Sequence, residues 1–488
     1  MTGGGKTSGP GHNALTGLAK LGAGGVIACA KPSEADEVCA ILQKAGRGGS
    51  IIRWNGRNGA FNVLAYALAR YGPRGINSVI EEVMRYVEII RNASALRGGD
   101  GEAFWLDELK RVLRNTLPSV YLATGTLRLR DILAFARSAP TSLEQMQSEA
   151  WQRESFFFAV MTAAAEGMDN ATGERLMEFW REYAQMDGKL RGSIVAGFTM
   201  LDRLNHGWLG EAFCGETNIV PALCFHGAII VLDMPRATHG EDGLIGQMLF
   251  IDAAQTEVLS RNALDPSQRE RLVFFYIDEF QEVVTSRYGE FLALSRSSLC
   301  STIALTQSLP GLYAKLGGPN AHDRAHHLIA NMGVRIFCAN SCVTTNAWAS
   351  QTIGKAVQRR ASYSESEGTN TSYGSAMNEG SGWSREASDS NFMGHVGGFG
   401  WSMDPSWGRN GSESGNDGWS RNRGHGSSQG TSQGYSETVD DIVPAGFFAS
   451  GLKTGGPANG NRVGALWVQA GKRFAASGGP SRYVEFAQ

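Results

Sequence analysis

The sequence predicts an α/β protein whose mostly parallel central sheet is interrupted by an inserted all-helical domain and by a disordered Gly/Ser-rich insertion. Three observations support this prediction. Short, almost continuous apolar runs alternate with helical segments, which is typical of parallel strands covered on both faces. Residues 76–207 have helical periodicity throughout. Residues 361–437 are rich in glycine and serine and contain almost no aliphatic side chains.

Six apolar runs are predicted to be strands. They lie at 26–29, 50–53, 227–232, 272–277, 301–305 and 334–338. A helix is predicted over 33–45, with Ser33 as its N-cap and acidic side chains in its first turn. Near the end of the chain, 463–469 and 473–474 have strand character, and Ala470-Gly471 suggests a hairpin turn between them.

The helical region is recognised by an apolar stripe. Val79, Val83, Val87 and Ile90 follow one another at intervals of four, four and three residues, which places them on one helix face. The Gly-rich tract differs, because its composition cannot bury enough apolar surface to offset the entropy of ordering. Three Gly/Ser-flanked tryptophans in that tract could contact bases or proteins, or the tract could be an inert loop insertion. These tryptophans are Trp383, Trp407 and Trp419.

Length and composition limit the function classes. A chain of 488 residues suggests two or three domains. With 45 Lys and Arg against 47 Asp and Glu, the net charge is −2, which excludes a uniformly basic nucleic-acid coat but not a local basic channel. Seven cysteines are too few for a disulfide scaffold in a chain this long, and no cysteine spacing suggests a zinc site. No apolar run is long enough to predict a transmembrane helix.

The start of the chain contains a possible phosphate-binding motif. Gly3-Gly4-Gly5-Lys6-Thr7 resembles the end of the pattern G-x-x-x-x-G-K-[ST]. In that pattern the backbone N–H groups surround phosphate oxygens, the lysine reaches the β- and γ-phosphates, and the threonine hydroxyl binds Mg²⁺. The first glycine of the pattern would precede Met1. The alternative interpretation is a flexible glycine-rich start without a ligand.

A second motif follows the apolar run at 272–277. Asp278 and Glu279 come directly after this strand, as in a Walker B element. There Asp278 would hold Mg²⁺ through water, and Glu279 would act as general base toward the attacking water. The alternative is a strand that ends in an acidic turn. If both motifs are functional, they bind opposite sides of one triphosphate, and the helical region is the insertion that separates them.

The next strand also ends in a polar side chain. Gln307 follows the run at 301–305, and the carboxyl ends of parallel strands form the crevice where ligands bind. Gln307 could therefore orient the nucleophilic water or sense the γ-phosphate. A simple polar residue at a strand end is the alternative.

Two runs of sequence carry a more specific resemblance. IDEFQEVV and the later FLALSRSSLCSTIALTQSLPGLYAKLG resemble the Walker B to sensor region of type IV secretion coupling proteins, the TraG/TraD-type conjugative DNA-transfer ATPases. These belong to the FtsK/HerA branch of RecA-like P-loop motors. Residues 328–355 resemble the following strand and helix, and 101–113 resemble the entry to the family's helical domain. The resemblance is most specific over 272–355.

The resemblance implies an ATPase that uses ATP and Mg²⁺ and couples hydrolysis to DNA translocation. It implies a homohexamer at the cytoplasmic face of the bacterial inner membrane, with DNA, relaxase and secretion-channel proteins as partners. It assigns Lys6 and Thr7 to nucleotide and Mg²⁺, Asp278 and Glu279 to catalysis, and Gln307 to sensing. Arg296 matches an arginine near a subunit boundary, and could act in trans or be an ordinary surface arginine.

The resemblance also implies a domain organisation. The expected segments are 1–75 and 208–360 for the RecA-like nucleotide-binding domain, 76–207 for the helical substrate-recognition domain, 361–437 for the disordered linker and 438–488 for the strands that complete the nucleotide-binding domain.

Three departures from the family pattern matter. The chain begins inside the phosphate loop, so we expect an upstream start in the full protein, with Met1 an internal residue. Ala30-Lys31-Pro32 replaces the family's Asp-Pro-Lys, which leaves the role of Lys31 open. Pro10 follows the loop closely, so the first helix should start late. A non-hydrolysing adaptor and a chromosomal DNA translocase of the same superfamily are the alternative functions.

Overall fold

The computed structural model describes residues 4–94, 102–266, 269–285, 287–318, 320–373, 377–389, 417–418 and 424–488. The chain divides into two compact units. One comprises Gly11–Asn331, and the other comprises Met1–Pro10 together with Met332–Gln488. Each unit is described by itself.

A five-stranded parallel sheet organises the unit Gly11–Asn331. Its strands have the spatial order β2-β3-β1-β4-β5, and every neighbouring pair is parallel. This confirms the α/β class and the mostly parallel sheet, and a strand forms at or next to each predicted position. The strands are β1 (Gly24–Ala28), β2 (Ile51–Trp54), β3 (Ile229–Leu232), β4 (Val273–Ile277) and β5 (Cys300–Ala304).

Helices cover this sheet and fill the long connection between β2 and β3. The first helix starts at His12, after a π-helical turn over Thr7–Gly11 that contains Pro10, so it begins late as predicted. The helices are α1 (His12–Lys20), α2 (Glu34–Lys44), α3 (Val63–Tyr71), α4 (Ile76–Ala93), α5 (Glu102–Thr124), α6 (Leu129–Arg137), α7 (Leu143–Gln147), α8 (Glu149–Glu154), α9 (Phe156–Ala165), α10 (Asn170–Gln185), α11 (Gly188–Asp202), α12 (Gly207–Cys214), α13 (Arg236–Ser260), α14 (Phe280–Val283), α15 (Tyr288–Ser295), α16 (Leu309–Leu316) and α17 (Ala321–Ala330).

The sheet and its first two helices share one apolar core. Leu15 of α1 and Val38 of α2 pack with Ile27, Val231 and neighbouring strand side chains, all of them buried. Each such side chain contributes about 1.5–3 kcal/mol when it is removed from water. This packing fixes the strand ends, which is where the candidate site lies.

The predicted helical region is helical in its described part. The stripe on α4 is buried as expected, with Val79 and Val87 fully inaccessible to solvent. An aromatic cluster holds the later helices together, because Phe135 of α6 and Phe157 of α9 both pack against Trp180 of α10. Edge-to-face aromatic pairs of this kind stabilise a fold beyond their burial alone.

The second unit contains an antiparallel sheet of order β12-β11-β6. The predicted strands at 334–338 and 463–469 are present, but the expected strand at 473–474 is not. Residues 470–480 form turns instead, and the partner of β11 comes later. The hairpin prediction was wrong because Ala470-Gly471 marks the start of a longer connection. The elements are β6 (Val334–Cys338), α18 (Val343–Ile353), α19 (Phe447–Ser450), β11 (Arg462–Gln469) and β12 (Ser481–Ala487).

Strands also form in the segment that composition predicts to be disordered. β7 and β10 pair antiparallel without interruption from Lys355↔Asp441 to Ser372↔Gly424. The expectation of disorder is therefore wrong for the described residues of 361–437, because a ladder is built from main-chain bonds that composition does not report. Trp383 lies in β8, whereas Trp407 and Trp419 lie outside the described residues. The strands are β7 (Lys355–Tyr373), β8 (Met377–Asp389), β9 (Asp417–Gly418) and β10 (Gly424–Asp441).

Across the described ranges, no helix is both long enough and apolar enough to cross a bilayer.

Candidate functional site

Three loops meet at the carboxyl edge of the parallel sheet. The last residues of β1, β4 and β5 stand side by side, since Ala28 is in register with Ile277 and Ile277 with Ala304. The residues that follow these strands therefore lie at one edge, where parallel sheets bind ligands. Asp278 and Gln307 are among them.

Asp278 follows the last residue of β4 at this edge. Its side chain is fully buried, and its Oδ1 accepts a hydrogen bond from the backbone N–H of Glu279 at 2.9 Å. Lys31, after β1, places its Nζ 3.7 Å from Asp278 Oδ2 with half of its side chain exposed. The sequence leaves the role of Lys31 open, and the structure brings its ammonium group to the buried Asp278.

Both carboxylate oxygens of Glu279 accept hydrogen bonds from glutamine side chains. Gln307 Nε2 donates to Oε1 at 2.8 Å, and Gln281 Nε2 donates to Oε2 at 2.6 Å. The structure thus brings Glu279 and Gln307 together at the strand-end crevice, which is where Gln307 was expected. Gln281 was missed, because a single glutamine after an acidic pair carries no recognisable motif.

The backbone at Glu279 is strained. Its φ of 47° lies in the left-handed region that residues other than glycine rarely adopt. Such strain costs on the order of 1–3 kcal/mol and concentrates at functional sites. The turn bends the chain from β4 into α14 and presents the carboxylate to the glutamines.

A second buried carboxyl, Glu34, supports the loop after β1. Its Oε2 accepts hydrogen bonds from the backbone N–H groups of Ala30, at 2.7 Å, and of Lys31, at 3.3 Å. Oε1 is buried and has no partner among the described residues. Burial, and then the charge of Asp278, raise the pKa of Glu34 to about 7. The predicted cap Ser33 makes no capping hydrogen bond through its side chain.

The glycines of the first motif are packed closely within the other unit, Met1–Pro10 with Met332–Gln488. Gly5 has a φ of +73°, and a Cβ there would lie 2.5 Å from Val463 Cγ2. A Cβ at Gly4 would lie 2.5 Å from the carbonyl oxygen of Ala339. Gly9 N–H donates to the carbonyl oxygen of Gly5 at 2.8 Å, closing the turn. A side chain fits neither Gly4 nor Gly5, whereas Gly3 lies outside the described residues.

Lys6 and Thr7 follow these glycines. Burial raises the pKa of the Cys338 thiol to about 12, and the charge of Lys6 opposes that shift, so the ammonium group lies within electrostatic reach of β6. The nucleotide and Mg²⁺ roles of Lys6 and Thr7 stay predictions.

Arg296 lies away from the carboxyl edge. It follows α15 directly, four positions before Cys300, the first residue of β5. Gln307 follows the last residue of that strand, so the two side chains belong to opposite ends of β5. Arg296 is exposed at the amino edge. It is therefore not part of the site in its own chain, and its predicted role toward a neighbouring subunit stays a prediction.

One family model matches the chain. Residues 272–393 match the family described as the TraM recognition site of TraD and TraG. The matched segment begins beside β4 and includes Asp278, Glu279 and Gln307. The resemblance predicted to be most specific over 272–355 is thus confirmed across about a quarter of the sequence. No curated protein matches.

Solved structures with similar folds include two forms of one coupling protein. The unbound monoclinic form of the bacterial conjugative coupling protein TrwBdeltaN70 is 13% identical with a TM-score of 0.49, over 96% of this chain and 87% of that chain. Plasmid coupling protein TrwB with the non-hydrolysable ATP analogue ADPNP is 12% identical with a TM-score of 0.48, over the same 96% and 87%. VirB4 of Thermoanaerobacter pseudethanolicus is 16% identical with a TM-score of 0.41, over 72% of this chain and 78% of that chain.

Proposed function

We propose that this chain is an ATP-driven coupling protein that delivers relaxase-bound DNA to a type IV secretion channel. One observation carries the proposal. The segment that matches the TraD and TraG family model places Asp278, Glu279 and Gln307 at the carboxyl edge of a parallel sheet, with Gln307 bonded to Glu279.

In the unit Gly11–Asn331, Asp278 is a carboxylate of the kind that Mg²⁺ prefers as an oxygen ligand. In the unit that contains the first motif, Thr7 would supply a hydroxyl oxygen to Mg²⁺. Lys6 and the N–H groups of Gly3, Gly4 and Gly5 would contact the phosphates. Bound Mg²⁺ supplies neutralisation of the charge on the phosphate oxygens. Asp278 would hold the ion, and its Oδ1 accepts the backbone N–H of Glu279.

Glu279 acts as general base in this proposal. Its carboxylate accepts the proton of the water that attacks the terminal phosphate, and Gln307 holds that carboxylate in place. Lys31 neutralises Asp278 before the nucleotide arrives. The half-exposed Lys31 ammonium would also be within the reach of a charged hydrogen bond to a phosphate oxygen.

Hydrolysis would drive DNA through a homohexamer at the cytoplasmic face of the inner membrane. DNA would be held mainly by phosphate contacts, because transport must accept any sequence. Arg296 of a neighbouring copy would then neutralise charge in the transition state. The helices between β2 and β3 and the segment that matches the TraM recognition model would recognise the substrate. Relaxase and channel proteins would be the protein partners.

Steady-state hydrolysis with and without DNA tests the proposal in the full protein. We expect DNA to stimulate hydrolysis, and Lys6→Ala and Glu279→Gln to abolish both hydrolysis and conjugative transfer. Transfer that survives both substitutions would contradict the proposal. A protein that gains no thermal stability from ATP and Mg²⁺ would instead be a non-hydrolysing adaptor.

A further inference from the structure

Gln281 joins the proposed base to the loop after β5. It lies in the single turn of α14, two positions after Glu279. Its amide group is engaged at both ends, since Nε2 donates to Glu279 Oε2 at 2.6 Å while Oε1 accepts from Thr306 Oγ1 at 2.8 Å. The chain of contacts therefore runs from Thr306 through Gln281 to Glu279.

Hydrogen bonds to both oxygens fix the plane of a carboxylate more firmly than a hydrogen bond to one oxygen does. Gln307 holds Oε1 of Glu279 and Gln281 holds Oε2. Each carboxylate oxygen can accept about two hydrogen bonds, so one donor at each oxygen does not by itself fill the acceptor capacity of the carboxylate. The two glutamines therefore orient Glu279 through both of its oxygens.

Both glutamine hydrogen bonds to Glu279 depend on the loop between β5 and α16. Thr306 and Gln307 belong to this loop, and Ser308 ends it by capping α16 through Gly311 N–H at 3.3 Å. A Cβ at Gly311 would lie 3.7 Å from Gln281 Cγ, so the first turn of α16 packs beside the stem of Gln281.

A salt-bridge cluster ties α14 to the helices beside it. Glu282 Oε2 lies 2.7 Å from Lys315 Nζ on α16 and 3.2 Å from Arg236 on α13. These groups are partly exposed, so each pair adds little stability by itself. Together with the Gln281 contacts, they connect α14 to α16 and to the loop that precedes it.

We infer that Gln281 is a positioning residue that sets the orientation of Glu279 and makes it depend on the β5–α16 loop. The inference rests on the proposed function, in which Glu279 is the base. Displacement of the loop removes Thr306 from Gln281 and Gln307 from Glu279 in one step. The carboxylate then loses its fixed plane, and proton transfer from water slows while the nucleotide remains bound.

A double-mutant cycle on hydrolysis tests this inference in the full protein. Gln281→Met keeps the side-chain volume but removes the donor and acceptor. We expect it to lower kcat about tenfold or more, as loss of oriented general-base catalysis would, with KM for ATP changed less than twofold. Thr306→Val should lower kcat in the wild-type background but not in the Gln281→Met background. Gln43→Met, in the exposed last turn of α2, is the control and should change neither constant.

Additive effects of the two substitutions, or an unchanged kcat in Gln281→Met, would overturn the inference. The same cycle on urea unfolding of the nucleotide-free protein separates this failure from failure of the proposed function. If the wild type hydrolyses no ATP, the proposed function fails. If the effects of the two substitutions on the urea midpoint are non-additive, they would still support the Thr306–Gln281 contact. Additive effects on the midpoint would refute it.

Discussion

Gln307 Nε2 donates a hydrogen bond to Glu279 Oε1 at 2.8 Å across 28 positions of sequence. The two residues meet because β4 and β5 are parallel neighbours with their last residues in register, Ile277 opposite Ala304. A turn at each strand end then presents one side chain to the other. This contact connects the predicted sensor with the predicted base.

Gln307→Ala should lower hydrolysis with little effect on nucleotide binding. Glu279 then loses the donor to its Oε1 and keeps the Gln281 donor to its Oε2, so the carboxylate is held less firmly. General-base catalysis contributes about 10²–10⁴-fold, and a loss of about tenfold or more in kcat is expected. Phosphate release over time measures kcat, and titration with a fluorescent nucleotide measures the affinity for nucleotide. A large loss of affinity with unchanged kcat would place Gln307 in binding instead.

Glu34 should make the nucleotide-free protein less stable as the pH rises. Its pKa is about 7 in the folded chain and near 4.5 ordinarily, so between these values the folded state binds the extra proton. The stability that this proton provides is complete below about pH 4.5 and is lost as the pH rises through about 7, a difference on the order of 3 kcal/mol.

Glu34→Gln should remove that dependence. An amide oxygen can still accept the N–H groups of Ala30 and Lys31, and the amide carries no charge. We expect the variant to be more stable than the wild type at pH 8 and similar at pH 5, as measured by urea unfolding. A variant that loses equal stability at both pH values would show that the carboxyl is charged when buried.

Lys31→Met should weaken nucleotide binding. The half-exposed Lys31 ammonium lies 3.7 Å from the buried Asp278 carboxylate, so its loss also removes a nearby positive charge from that carboxylate. A charged hydrogen bond to phosphate is worth about 1.5–3 kcal/mol, so affinity for ATP with Mg²⁺ should fall about tenfold or more. Lys44→Met, at the exposed end of α2, is the matched control. Calorimetric titration that finds equal affinity in both variants would remove Lys31 from the site.

Gly5→Ala should destabilise the unit that contains the first motif. The residue combines a φ of +73° with a Cβ position 2.5 Å from Val463 Cγ2. Strain and overpacking each cost about 1–3 kcal/mol. Gly17→Ala is the control, since a Cβ inside α1 meets no atom within 4 Å and should stabilise by about 0.5–1 kcal/mol. Equal unfolding midpoints for the two variants would contradict the packing described for Gly5.

The strands were predictable because their signal is local. An apolar run such as 273–277 can be recognised as a strand from its own residues. The parallel pairing of β4 with β5 then brings Asp278 and Gln307 to one edge of the sheet. The roles of Gln281 and Glu34 were not predictable, because Gln281 contacts Thr306 and Glu34 feels the charge of Asp278, and only the fold brings these residues together. Main-chain pairing between β7 and β10 was missed for a related reason, since composition reports side-chain burial and not ladder bonds.

Phosphate release from ATP by the wild type and by Glu279→Gln tests the account most directly. With Mg²⁺ present, the wild type should turn over, and Glu279→Gln should bind ATP with similar affinity but release phosphate at least about a hundredfold more slowly. The amide keeps the size of the side chain but cannot accept the proton. Equal rates in the two proteins, or no turnover by either, would contradict a catalytic site at this strand end.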